Sequence, residues 1–387
     1  MSILIKNARL VDAFSDATGC LGINGGKIDY VGSQPQKSYT LTVDAEGKTV
    51  LPALVDMHCH LRDPGQTQKE SMETGMLAAV KGGYCMLVAM ANTSPVLTTP
   101  ALIQANLDKA EKIGLCRLIQ AAACGEELDD KVATDRKSLR KVTSVFSNDG
   151  KTIFSDEFMR QLLIDSKELG FLISTHCQPE EETVARDLRL LNETGGNLHI
   201  GHISTAKTLE LIRSAKRRGL EFTCELTPHH LLGFDCDYRV NPPLATENDV
   251  EALISGIKDG SIDCLSTDHA PHTPADKAAG MAGISNIEYA LQVYLQVFYK
   301  NGIPLTRLAQ MTSFNPRKRL EIGGGIIAEG EDADIIIVDT EKETVVDKTK
   351  MISRSNNTPF DGYAVRGLVE KTIIKGKIRY DNGQFSR

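Results

Sequence analysis

His58 and His60, separated by one residue, close an apolar run, VLPALVDMH, that reads as a strand. On an extended chain, residues two apart face the same way, so one face offers two imidazoles. Asp149 follows the run TSVFS, His176 ends LISTH, His202 ends LHIGH and Asp268 ends DCLSTD. Imidazole nitrogens and carboxylate oxygens are the donors that zinc and similar divalent ions take. Each residue has a plainer explanation by itself. A single histidine is more often a hydrogen-bonded core residue, Asp149 precedes a glycine as a turn residue would, and Asp268 could cap a helix. Residues of these types at the end of one apolar run after another are hard to explain by packing, and together they point to a metal centre.

The elements that must position these residues alternate. Residues 50–58, 84–90, 170–176, 197–203, 220–226 and 261–268 read as buried parallel strands. Between them, residues 70–83, 155–170, 180–196 and 205–219 carry helical patterns. The last of these starts at a Ser/Thr cap and ends at glycine with basic residues in its final turn. Such alternation fits a (β/α)8 barrel or a doubly wound sheet, and in a barrel the strand C-terminal ends form the active-site face. Both termini are β-rich, at 3–11, 21–31 and 40–51 and again at 334–339, 344–346 and 372–380. The expected fold is therefore α/β: a TIM barrel over 52–320, with a small β-sandwich domain built from 1–51 and 321–387.

The motifs VDMHCHLRDPG (55–65), AMANTSP (89–95), SNDG (147–150), THC (175–177), GHIST (201–205), ELTPHHL (225–231), NPPL (241–244) and STDHAPH (266–272) stand in one order along the chain. Further marks are GIIAEGEDADIIIVD (325–339), NTPFDGY (357–363) and TIIKGKI (372–378). This set resembles the class I dihydroorotases, a branch of the metal-dependent amidohydrolase superfamily. The resemblance implies that His58, His60 and Asp268 bind one zinc, that His176 and His202 bind a second, and that Asp149 bridges the two. It implies substrate contacts at Arg62, Asn92, Asn241 and His272, with Ala282 and Gly283 on a loop over the substrate. The implied reaction is the reversible closure of N-carbamoyl-L-aspartate to L-dihydroorotate with loss of water, a step of pyrimidine synthesis.

Elementary chemistry agrees with those roles. Zinc lowers the pKa of its water to roughly 7, and two ions roughly 3.5–4 Å apart can also polarise a carbonyl. Asp268 suits a general base that passes the proton to the leaving ring nitrogen. In the closing direction it starts protonated, so closure is expected to gain at lower pH and hydrolysis at higher pH. Arg62 can bind the ring carboxylate bidentately, with Asn92 adding donors.

Several positions depart from the family pattern. Ala91 stands where a proline is usual, Ala53 where a glycine is usual, and Asn148 where an aspartate is usual. The stretch between His176 and His202 is short, and MAGISN (281–286) replaces a Pro-Phe-Gly loop. These changes leave the ligand set intact and admit a shifted substrate range. His229 and His230 in TPHH have no assigned chemistry, and Lys151, two residues past Asp149, is a weak candidate for a carboxylated bridge. Two other readings compete. One is a related cyclic amidohydrolase acting on hydantoins, dihydropyrimidines or allantoin. The other is a silent paralogue that scaffolds aspartate transcarbamoylase, although such proteins typically lose ligands.

Composition excludes other classes. The 387 residues are 41% hydrophobic and 25% charged, as in an ordinary globular protein. A net charge of −7 without a basic block argues against nucleic-acid or anionic-membrane binding. No apolar run is long enough to span a bilayer, and the first residues lack a signal-peptide pattern. Nine scattered cysteines without a CxxC point to a reducing, cytoplasmic setting and to thiols used in packing. The expected partner is a small-molecule substrate. A homo-oligomer, typically a dimer, is expected from the family, and association with aspartate transcarbamoylase is open.

Overall fold

In a computed structural model, residues 2–35, 37–233 and 236–386 are described. The outermost residues of the two expected terminal segments, 1 and 387, lie outside that range. The N-terminal strands are β1 (Ser2–Val11), β2 (Asp16–Asn24), β3 (Lys27–Gly32), β4 (Leu41–Asp44) and β5 (Thr49–Pro52). The chain then runs through β6 (Leu54–Cys59), β7 (Tyr84–Ala89), β8 (Arg117–Gln120), β9 (Ala122–Ala123), β10 (Val145–Ser147), β11 (Leu172–Thr175), β12 (Leu198–Ile200), β13 (Thr223–Leu226) and β14 (Cys264–Leu265). It ends in β15 (Ile335–Val345), β16 (Ala364–Ile374), β17 (Lys377–Asp381) and β18 (Gln384–Phe385).

The middle strands are short, parallel and in sequence order, with β6-β7-β8 in one ladder and β9 to β14 in another. β8 and β9 are one bent strand interrupted at Ala121, whose N–H still donates to Ala89 O. The ring closes through His60 N to His269 O and Asp268 N to His58 O, at 2.8 and 2.9 Å. Helices over Met72–Lys81, Pro100–Ile113, Asp156–Leu169, Glu180–Thr194, Ala206–Arg217, Glu247–Asp259 and Ala290–Lys300 follow strands around the outside. This is a TIM barrel. Most helix starts are set by side-chain caps, for example Ser155 on Phe158 N and Thr205 on Thr208 N.

The terminal segments meet as expected: β5 pairs with β15 antiparallel, from Pro52–Ile335 to Thr49–Val338. All nine terminal strands are joined in one continuous hydrogen-bonded sheet. β15 joins the halves because it pairs with both β5 and β16, with register shifts that bend it. The sheet encloses its own apolar core, including Ile3, Ile5, Leu21, Ile23, Ile335 and Ile373. Two expected strands are hairpins: 21–31 turns at Gly25–Gly26 and 372–380 turns at Lys375–Gly376.

Candidate metal and substrate site

All the expected ligand residues leave strands at the same end of the barrel. His58 lies on β6, with His60 just beyond it. Asp149, His176, His202 and Asp268 follow β10, β11, β12 and β14 within three residues. All are buried, and they converge. Asp149 sits between the two imidazole pairs. Its Oδ1 lies 3.1 Å from His58 Nε2, 3.4 Å from His176 Nδ1 and 3.5 Å from His202 Nε2, and its Oδ2 lies 3.3 Å from His60 Nε2. Asp268 Oδ1 lies 3.1 Å from His60 Nε2 and 3.7 Å from His58 Nε2.

A divalent cation fits this set. The donor atoms of His58, His60 and Asp268 lie within 4.8 Å of one another, as do those of His58, Asp149 and His202. His58 Nε2 is buried without a hydrogen bond, although Asp149 Oδ1 is 3.1 Å away. Two buried carboxylates that face imidazoles need positive charge between them. Burial alone would raise both carboxyls, yet the neighbouring imidazoles, foremost His58 and His60 for Asp149 and His60 for Asp268, hold them well below the usual carboxylate range.

Each imidazole is oriented by a partner behind it. His58 Nδ1–H donates to Glu225 Oε1 at 2.8 Å, which aims its Nε2 at the cluster. Glu225 Oε2 in turn lies 3.1 Å from His199 Nε2 and accepts from Ser266 Oγ. His60 Nδ1–H donates to Asn92 Oδ1 at 2.9 Å. His176 differs, because it turns Nδ1 inward and receives Asn241 Nδ2 on Nε2 at 3.1 Å. In that tautomer Nδ1–H donates to His202 Nε2 at 2.9 Å. A cation at Nδ1 requires the other tautomer, which the Asn241 amide serves once its oxygen and nitrogen exchange places.

The substrate candidates share one cavity of about 340 Å³ with these ligands: Arg62, Asn92, Asn241, His272, Ala282 and Gly283 all line it. Arg62 Nε donates to Pro271 O at 3.2 Å, and its Nη2 donates to His272 Nε2 at 3.2 Å. Burial lowers the Arg62 guanidinium to about 10, against the opposing pull of Asp268 and Asp149, so it remains cationic. Burial, then Arg62 and Lys69, push His272 down to about 3, so it is neutral. Gly283 has a positive φ of 144°, and a Cβ there would sit 2.6 Å from Ala270 O and 2.8 Å from the His272 ring. The shortened loop is therefore pressed against His272. Lys277 holds it there by donating to Arg239 O, Met281 O and Gly283 O at 2.8 to 3.0 Å.

Other residues escaped sequence reasoning. Glu225 belongs to the ELTPHHL motif, but its role follows only from the fold. Gln66 and Lys69 line the cavity beyond the HxRxPG turn. Asn357, in NTPFDGY, accepts from His272 N at 2.9 Å and Ser285 Oγ at 2.7 Å and donates to Gly283 O at 3.1 Å. His230 links Thr227 Oγ1 to Pro242 O, and so ties down the segment that presents Asn241. Lys151 also lines the cavity, but its amine donates to Glu127 O at 2.7 Å, facing away from a bridging role.

The model of the amidohydrolase family matches residues 49–379. A dihydroorotase of Thermoanaerobacter sp. (strain X514) is 38% identical, covering 98% of this chain and 97% of its own length. A dihydroorotase of Aquifex aeolicus is 34% identical, covering 98% and 99%. Among solved structures, an L-hydantoinase from Arthrobacter aurescens superimposes with a TM-score of 0.90 at 24% identity, over 100% of this chain and 97% of that one. A dihydropyrimidinase from Brevibacillus agri gives 0.90 at 22%, over 100% and 96%. At such identities the structural likeness speaks to the fold alone. The full-length relatives decide the family: this chain belongs to the amidohydrolase family, on its dihydroorotase branch.

Proposed function

We infer that the chain is a dihydroorotase, which hydrolyses the ring amide of L-dihydroorotate to N-carbamoyl-L-aspartate and runs the closure in reverse. The observation that carries this reading is one cavity that holds both a buried guanidinium, Arg62, and the imidazole–carboxylate cluster around Asp149 and Asp268. The cluster suits amide hydrolysis, and the cation suits a ring that bears a carboxylate. A bare hydantoin or dihydropyrimidine ring offers Arg62 no anion. A silent scaffold has no need of so complete a ligand set.

In this reading the ions are zinc, two per chain, with His58, His60 and Asp268 holding one, His176 and His202 the other, and Asp149 between them. Bound zinc supplies Lewis acidity and makes water nucleophilic at neutral pH. The chain's own residues do the rest. Arg62 and His272 seat the carboxylate, Asn92 and Asn241 orient the ring, and Ala282 and Gly283 cover it. Asp268 takes the proton of the attacking water and returns it to the leaving ring nitrogen. The cytoplasm suits nine cysteines that are all free thiols. No described helix is long and apolar enough to cross a membrane. A homodimer, and docking to aspartate transcarbamoylase, complete the reading; light scattering of the chain alone and mixed with that enzyme tests both.

The direct test is turnover of L-dihydroorotate by zinc-replete protein beside its Asp268→Ala variant. Ring opening that is lost by about 10²–10⁴-fold in the variant is expected from removal of a general base. Absence of turnover in the unaltered protein refutes the function, and full activity in the variant refutes the role of Asp268.

A further inference from the structure

We propose that Lys69 is a specificity-determining residue of this pocket: its ammonium pairs with the substrate carboxylate alongside Arg62 and separates acid-bearing rings from bare ones. The proposal rests on the dihydroorotase reading above.

Lys69 lies seven residues past Arg62, is only 9% exposed and lines the cavity. A lysine is almost never so buried unless it is paired. Yet the nearest carboxylate oxygen among the described residues, Asp276 Oδ1, is 3.6 Å away, beyond hydrogen-bond distance. The other oxygen of Asp276 is taken by Thr273 N and Oγ1 at 3.0 and 2.7 Å. The stem is not free to leave. Lys69 N donates to Gln66 O at 2.9 Å, and Lys69 O accepts from Ser355 Oγ at 2.6 Å. A cation fixed on the cavity wall, with one loose ion partner, has capacity for a second anion.

The anion is not supplied by the chain. Asp149 and Asp268 are engaged with the imidazoles. Arg62 spends Nε and Nη2 on Pro271 O and His272, which leaves Nη1 without a hydrogen bond among the described residues. A ring whose reacting carbonyl lies at the cluster and whose carboxylate lies between Arg62 and Lys69 satisfies both cations at once. The carboxylate persists in N-carbamoyl-L-aspartate, so the contact serves both directions. It contributes nothing to a hydantoin or dihydrouracil ring.

The test uses the zinc-replete full chain with Lys69→Met and Lys69→Arg. KM for L-dihydroorotate is measured, with calorimetric binding of orotate as a readout independent of turnover. A charge-assisted hydrogen bond corresponds to roughly a tenfold to hundredfold change in affinity. Lys69→Met is expected to raise KM and the orotate Kd by about that factor, to leave kcat within about threefold, and to be largely restored in Lys69→Arg. Unchanged KM and orotate Kd in Lys69→Met overturn the proposal. So does a fall in kcat with KM unchanged, or a loss that Lys69→Arg does not restore. If the unaltered protein binds orotate but fails to open dihydroorotate, the function reading falls and the orotate comparison still decides Lys69.

Discussion

Replacing Glu225 by glutamine removes a negative charge that no substrate or metal touches, so it isolates the support of His58 from the ligands themselves. In the folded protein Glu225 accepts His58 Nδ1–H at 2.8 Å, faces His199 Nε2 at 3.1 Å and accepts Ser266 Oγ. Burial would raise this carboxyl, but His199 and His58 hold it strongly down, so it is ionised. A glutamine keeps the shape and one acceptor oxygen, and turns an NH₂ toward donors that need an acceptor. His58 then loses the charge that fixes its tautomer and makes Nε2 a better donor to a cation. Altering such a partner typically costs about 10–100-fold in metal affinity, or about 1.4–2.7 kcal/mol. The mismatched donor adds about 1–3 kcal/mol of folding cost. Zinc affinity is read by competition with a chromogenic chelator, and stability by denaturant unfolding of the metal-free protein. Weaker zinc binding in that range together with reduced stability is expected. Zinc affinity within about threefold of the unaltered chain would show that His58 needs no anionic partner, and would refute the reasoning.

Two further outcomes follow from the pocket wall. Asn357→Ala removes two acceptor contacts, to His272 N and Ser285 Oγ, and two donor contacts, to Gly283 O and Ala270 O. At about 1 kcal/mol each it should lose about 2–4 kcal/mol of unfolding free energy and raise KM as the His272 wall loosens; unchanged values of both contradict the assignment. His272 is held at about 3 by burial, then by Arg62 and Lys69, whereas the unfolded chain protonates it near 6.5. Its contribution to stability is therefore complete above about 6.5 and declines as pH falls toward 3. His272→Asn should flatten the loss of stability between pH 7.5 and 5, and an equal loss in both proteins rules this out.

The clustered histidines and aspartates were legible because each couples a rare residue type to the end of an apolar run. His58, His176 and Asp268 need no tertiary information to be noticed. Glu225 did not stand out, because a glutamate inside LEFTCEL looks like an ordinary strand residue. Only barrel closure brings it to His58 across 167 residues of sequence. Lys69 hides in a polar loop, QTQKE, where lysine is usually solvated. In the fold, the helix over Ala290–Lys300 went unread because its two valines and three aromatics, in ALQVYLQVFYK, suit a strand as well as a helix. Gln292, Gln296 and Lys300 do mark a polar edge at four-residue spacing, a helical signal the sequence carried. The paired termini were legible as β-rich, but the joining of their strands into one sheet rests on β15 pairing with both β5 and β16, which no local pattern announces.

The scaffold also stores strain where the chemistry sits. Arg62, His202 and Asp268 have φ values of 56°, 30° and 45°, in the left-handed region that residues with a Cβ avoid. Such conformations cost of order 1–3 kcal/mol each and persist only where the surroundings dictate them. Here they do. Asp268 N donates to His58 O at 2.9 Å, Gln66 N to Arg62 O at 3.0 Å, and Ile203 N, one residue past His202, to Glu225 O at 3.0 Å. A left-handed residue turns the chain sharply just as it leaves its strand. Bonds to neighbouring strands therefore fix Asp268 and the backbone beside His202, while a local turn to Gln66 holds Arg62, and the loops that follow depart toward the wall. Substitutions in those loops can reshape the substrate pocket without disturbing the cluster, because the strained residue at each strand end separates the two.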